Sequence, residues 1–115
     1  MNDIVINVYQ VVGNDKCVEA DDGVKVYEKI KLLLAEKKKI ILSFINVEML
    51  TSAFLNTAIG QLYKDFSEED IKALITVKDL PPDDVVLLNR VVQNAKLYYK
   101  DPDRMEKSIQ DILGE

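Results

Sequence analysis

Residues 40–66 read IILSFI at Ile40 to Ile45, followed by NVEMLTSAFLNTAIGQLYKDF at Asn46 to Phe66, and this stretch decides the fold. Ile40 to Ile45 is apolar at nearly every position. A run so short, apolar and β-branched reads as a central strand covered on both faces. The sequel leaves the strand end and enters a helix near Thr51. There Phe54, Leu55, Ala58, Ile59 and Leu62 define a buried stripe, with Tyr63 and Phe66 near the end. Gly60 lies inside that helix at a cost of ~1 kcal/mol relative to Ala, which a close approach by a neighbouring element would rationalise.

Working outward toward the amino end, Val24, Tyr27, Ile30 and Leu34 recur at spacings of three and four, with Leu33 widening the stripe. They predict an amphipathic helix announced by Asp21-Asp22-Gly23, with Asp as N-cap, that ends near Lys38. The basic run Lys37-Lys38-Lys39 then suits a solvated helix C-terminus. Before it, Ile4 to Val12 reads as a first strand, and Gly13-Asn14 as a hairpin turn into a short second strand around Lys16 to Glu19. Toward the carboxyl end, Ser67-Glu68-Glu69-Asp70 resembles a capping box opening a turn or two of helix. Leu74 to Val77 follows with strand composition, then a loop from Asp79 to Asp84 centred on Pro81-Pro82. The second proline is placed in the first turn of a long helix whose face is Val85, Leu88, Val91, Val92, Ala95 and Tyr99. Asp101-Pro102 starts a last helix with the face Met105, Ile109, Ile112 and Leu113. The alternation of strands and helices predicts a single α/β domain over residues 1–115, with right-handed crossovers between parallel strands.

The 115 residues, 48% apolar and 30% charged, have room for one core. The net charge of -5, from 20 acidic and 15 basic residues, supplies no phosphate-binding stripe and argues against nucleic acid. The chain has no histidine, which removes imidazole bases, Ser-His-Asp and Cys-His pairs and every His-containing metal set. Cys17 stands alone, so no disulfide forms within the chain and the thiol reads as a small packed hydrophobe. No apolar stretch is long enough to span a bilayer, and the start, MNDIVINVY, lacks the basic region of a signal peptide; the expectation is a cytoplasmic protein. The acidic clusters Asp21-Asp22, Glu68-Glu69-Asp70 and Asp83-Asp84 stand where helix first turns are predicted and read as caps. No catalytic residue, metal site or cofactor is expected.

The sharpest position is Thr51-Ser52, directly after the central strand. The carboxyl end of a strand is where ligands and partners usually meet an α/β fold. A phosphoryl group on Ser52 would add ~-1.5 to -2 charge there; the plain alternative is that Thr51 or Ser52 is the helix N-cap.

Three segments in order, GVKVYEKI at Gly23 to Ile30, TSAFLNTAIGQLY at Thr51 to Tyr63 and VVQNAKLYY at Val91 to Tyr99, carry a resemblance. Together with Ile41 to Phe66 they look like the STAS domains, the sulfate-transporter and anti-sigma-factor-antagonist modules, and closer still like the bacterial STAS-like domain family of unknown function. The resemblance implies a STAS-like mixed sheet of four or five strands with helices mainly on one face. It also implies a non-enzymatic regulatory protein-binding module of the partner-switching type, in signal transduction and transcription regulation. Its implied partner is a histidine-kinase-like ATPase or an anti-sigma factor. The antagonists' phosphorylated loop, Asp-Ser-Ser-Gly, falls on Thr51, Ser52, Ala53 and Phe54. Thr51 lacks the carboxylate, Phe54 replaces the small glycine, and Ser43 stands where many relatives carry an acid. Ser52, with Thr51, is the expected regulatory residue. Asn46, Glu48, Thr51, Ser52, Asn56 and Lys64 form the expected partner face. The alternative is a ligand-binding or scaffolding module without phosphorylation, and a homodimer through a patch at Leu97 and Tyr98 is left open.

Overall fold

The computed structural model describes residues 3–100. The predicted last helix, with Met105, Ile109, Ile112 and Leu113, lies outside the described residues. The elements are β1 (Ile4–Asn7), α1 (Val8–Val12), β2 (Lys16–Cys17), α2 (Ala20–Ala35), β3 (Ile40–Ser43) and β4 (Met49–Leu50). α3 (Ser52–Leu55), a π turn (Asn56–Gly60) and α4 (Leu62–Asp65) then follow end to end as one rod, the rim helix. α5 (Glu68–Leu74), β5 (Ile75–Lys78) and α6 (Pro82–Lys100) complete the described chain.

The strands make two sheets. One is three-stranded in the order β1-β3-β5, and the other is a two-residue ladder of β2 with β4. Every pairing among the described residues is parallel, so the mixed four- to five-stranded sheet expected from the resemblance is corrected there to five strands in two parallel sheets. Ile4, Ile40 and Ile75 share one register row, and Ile6, Leu42 and Val77 another. Because the strand order follows the chain order, right-handed crossovers place the connecting helices on one face. The side chains of those two rows turn toward the helices, and Ile6, Ile40 and Leu42 are buried. The intervening row, Val5, Ile41 and Thr76, points the other way. Val5 is 60% exposed and Thr76 is exposed, while Ile41 on the central strand is half-buried and Ser43 buried. The second face of the sheet is thus open at its flanks, and the central strand is covered there only in part, not fully as expected.

The predicted first hairpin does not form. The Asn7 side chain accepts the Gln10 N–H at 3.0 Å and caps a short helix. Val8 and Val12, one turn apart, are buried on its inner side. Gly13 ends it at φ 89, where its N–H donates to Tyr9 O at 2.8 Å. The Gly-Asn pair thus stops a helix, and β2 goes on to pair in parallel with β4.

α2 starts at Ala20 with no side-chain cap at Glu19, and Asp21 and Asp22 sit in its first turn. Its buried stripe is Gly23, Val26, Ile30 and Leu34, so Val26 takes the inward place expected of Val24. The end is a Schellman turn: Lys38 N–H donates to Leu33 O, Lys37 N–H to Leu34 O, and Lys37 holds φ 59. Further on, the expected elements are present. Ser67 accepts the Asp70 N–H at 3.1 Å, α5 lasts two turns, β5 follows directly, and α6 begins at Pro82. Leu88, Val91 and Ala95 are buried on α6, whereas Val85 is exposed.

The core lies between the sheet and the helices, centred on Phe44, Phe54, Ile30, Leu34, Leu42, Leu55 and Leu62. The closest approach is at Gly23, not Gly60. A Cβ on Gly23 would stand 2.6 Å from Phe54 O and 2.8 Å from Thr57 Cβ, so α2 and the rim helix meet backbone to backbone. At Gly60 the nearest atom to such a Cβ is Asn56 Oδ1 at 3.4 Å, with Ala95 and Val91 of α6 beyond. Among the described residues no helix is long and apolar enough to cross a membrane.

Candidate functional site at the strand-end rim

The site is built by the chain leaving β3. Phe44 N–H donates to Lys78 O at 3.0 Å, which prolongs the bond between β3 and β5 by one step. Ser43, buried, donates through Oγ to Asp79 Oδ2 at 2.9 Å and accepts the Ile45 N–H at 3.3 Å. Val47 N–H returns to Phe44 O at 3.1 Å, and Asn46 between them takes φ 66, a conformation asparagine tolerates better than most residues. Asp15 O then accepts from Glu48 N–H at 2.8 Å and Met49 N–H at 3.2 Å, which fastens the segment to β2. Thr51 and Ser52 are therefore delivered by a loop tied down along its length.

The two hydroxyls have different positions. Thr51 Oγ1 donates to Val18 O at 2.7 Å and accepts the Phe54 N–H at 3.2 Å. It is half-buried and is the N-cap of the rim helix. Ser52, the first helical residue, is exposed, and its hydroxyl makes no hydrogen bond among the described residues. The cap reading thus belongs to Thr51, and the free hydroxyl to Ser52. Phe54, expected to fall at the place of the antagonists' glycine, is buried, so its ring does not obstruct the rim.

Asn56 lies one helical turn past Ser52 and is exposed. It opens the π turn, in which Gln61 N–H donates to Asn56 O, five residues back, at 3.1 Å. Thr57 Oγ1 donates to Ala53 O at 2.7 Å, and Gln61 Nε2 donates to Thr57 O at 3.1 Å. Side chains thus bond carbonyls of the locally widened helix, a distortion that is often found at functional sites. Beside Asn56 a pocket of about 220 Å³ opens between the rim helix and α6, lined by Gly60, Asn94, Ala95, Tyr98 and Tyr99. The Tyr98 and Tyr99 rings stand edge to face at 4.9 Å. Sequence reasoning missed Asn94 and Tyr99 as members of this face. The only signal was the exposed apolar pair Leu97 and Tyr98, both confirmed exposed.

Asn46 and Glu48 are exposed on the loop leading to Ser52. Lys64 is exposed but lies at the far end of the rim helix, about 18 Å along its axis from Ser52, and is not brought to the same place. The far end is fastened separately: Tyr27 of α2 donates to Asp65, and Lys31 Nζ lies 3.8 Å from Asp65 Oδ2.

Two acidic side chains act on the thiol beside the rim. Burial first, then the charges of Asp22 and Asp15, push the Cys17 thiol up to about 11. Cys17 is therefore a neutral packed group at physiological pH. The acidic clusters stand at the starts of three different helices, with Asp22 paired to Lys25, Glu68 to Lys96 and Asp70 to Lys37. Among the described residues no three metal-ligating side chains gather.

No curated protein and no solved structure matches the chain. A family described as the STAS-like domain of unknown function, DUF4325, matches residues 22–85. That span runs from the first turn of α2 through β3, the rim, the rim helix and β5 to the start of α6. It covers more than half of the chain, including the loop from Asn46 to Ser52 and the rim helix, while the pocket's α6 wall lies beyond it, and the chain belongs to this STAS-like family.

Proposed function

We propose that this domain is a regulatory protein-binding module of the partner-switching kind, in signal transduction and transcription regulation, with a histidine-kinase-like ATPase or an anti-sigma factor as its partner. The contact face is the rim: Asn46, Glu48, Ser52 and Asn56, extended by Asn94 and Tyr98 across the pocket on α6. One observation carries the reading. The rim presents a serine with an unengaged hydroxyl, while its neighbour Thr51 does all the work of capping.

That division lets a charge be added at Ser52 without unmaking the fold. A phosphoryl group there would bring ~-1.5 to -2 charge to a rim that already carries Asp15, Asp22 and Glu48. The change would repel an acidic partner surface and strengthen a basic one, by local electrostatics alone. A second reading, a scaffolding or small-ligand module without phosphorylation, is favoured by the pocket beside Asn56, whose wall includes two tyrosines.

The two readings separate in a capture experiment with the wild-type chain, Ser52→Ala and Ser52→Glu. The switch reading predicts that wild type and Ser52→Ala retain an ATPase or transcription regulator and that Ser52→Glu changes its binding at least ~10-fold. Capture of no such protein, together with identical behaviour of the three chains, contradicts it. A saturable chemical-shift patch at Asn56 and Tyr98 with a small ligand would favour the second reading.

A further inference from the structure

β1 is an edge strand, and among the described residues nothing pairs with its outer side. Ile4 N–H donates to Lys39 O at 2.9 Å, which turns the backbone groups of Ile4 and Ile6 toward β3. Strand alternation turns those of Asp3, Val5 and Asn7 the other way, to the open edge. Natural edges are usually guarded by proline, lysine, a bulge or a covering element. The strand Ile4–Asn7 carries none of these residues, and Val5 is 60% exposed.

Beneath this edge, on the helix side, runs a groove of about 390 Å³ lined by Ile4, Ile6, Val11, Lys29, Leu32 and Leu33. Leu32 on α2 is 70% exposed, the most exposed large apolar side chain among the described residues. A strand laid beside β1 would place its inward side chains in this groove and cover Leu32.

We propose that the occupant is β1 of a second copy of this chain, antiparallel about a two-fold axis at Val5. The outward positions of the edge commit it to itself. Asp3 is a charged acceptor, Val5 is apolar, and Asn7 offers a side-chain NH₂, because its Oδ1 already accepts the Gln10 N–H. Reversed, acceptor, apolar and donor meet donor, apolar and acceptor. Val5 exchanges two backbone hydrogen bonds with Val5 of the second copy, Asp3 lies opposite Asn7, and Ile4 lies opposite Ile6 above the two grooves. No like charges face each other in this register, and an antiparallel pair is the ordinary form of an isologous strand contact. This surface is separate from the Ser52 rim and stands or falls independently of it.

The test is sedimentation velocity on the full chain from low micromolar to several hundred micromolar, with Val5→Pro, Leu32→Lys and Leu97→Ser. Val5→Pro deletes an N–H that β3 does not use, at an edge where proline is tolerated. Leu32→Lys changes an exposed helix position and leaves the strand alone. The proposal predicts a reversible dimer that both variants weaken at least ~10-fold, that Leu97→Ser leaves intact, and in which the Val5 amide becomes protected from exchange as concentration rises. A monomer across the whole range overturns it. So does a dimer that Leu32→Lys leaves unchanged, or one that Leu97→Ser dissolves. Should Val5→Pro fail to fold, Leu32→Lys and the Val5 amide decide the matter.

Discussion

The two sides of the rim helix are built on opposite terms. Its inner side meets α2 at Gly23, where backbone and Thr57 leave no room for a methyl group. Its outer side carries Ser52 and Asn56 in solvent beside the Tyr98 pocket. The inner side fixes where the helix stands, and the outer side is free to change without moving it. A surface that must respond to a charge or a partner is cheapest to build on such a support, because the response then spends nothing on reorganising the core.

The sharpest break in this contrast comes from adding one carbon on each side. Gly23→Ala forces the contact with Phe54 O apart and is expected to lose roughly 2–3 kcal/mol in a denaturant melt. Gly60→Ala meets only ordinary contacts and gains helix propensity, so it should change stability by less than ~1 kcal/mol. Equal costs at the two glycines would remove the asymmetry.

The next effect is alkaline. Burial, then the Asp22 and Asp15 charges, push the folded-state thiol of Cys17 from its ordinary value of 9.0 up to about 11. Its contribution is complete below pH 9 and is lost as pH rises through the folded value, because the unfolded chain releases the proton first. The wild-type advantage over Cys17→Ala should shrink by about 2 kcal/mol between pH 9 and 11. A difference that stays constant over that range would deny the thiol its buried, acid-flanked surroundings.

Smaller again is the comparison of the neighbouring hydroxyls. Thr51→Ala removes the cap on Phe54 N–H and the donor to Val18 O, and is expected to lose ~1–2 kcal/mol. Ser52→Ala should stay within ~0.5 kcal/mol of wild type. Thermal melts of the two variants side by side check this, and a reversal would hand the cap to Ser52.

Much of the inner side was legible in the residues. Phe54, Leu55, Ala58, Ile59 and Leu62 are buried as their spacing implies. Ser67 and Pro82 start α5 and α6 because a hydroxyl cap and a proline at a first turn are local chemistry. Thr51-Ser52 stands at the strand-end rim for the same reason. The failures lie where tertiary geometry decides between local choices. Val8 and Val12 suit a strand or a helix equally, and only the Asn7 cap and the positive φ of Gly13 settle it. The β2–β4 ladder is two residues long, too short to leave a pattern. Gly23 looked like part of a helix start, although its role is set by a helix that arrives some thirty residues later. The π turn has no compositional mark, and it is the π turn that sets Asn56 and Gly60 against α6.

The most direct measurement is the affinity of the captured partner for wild type, Ser52→Glu and Asn56→Arg, taken with each chain's unfolding free energy. Both rim variants should melt within ~0.5 kcal/mol of wild type and yet bind at least ~10-fold more weakly or more tightly. Unaltered affinity in chains of unaltered stability would contradict the assignment of this face.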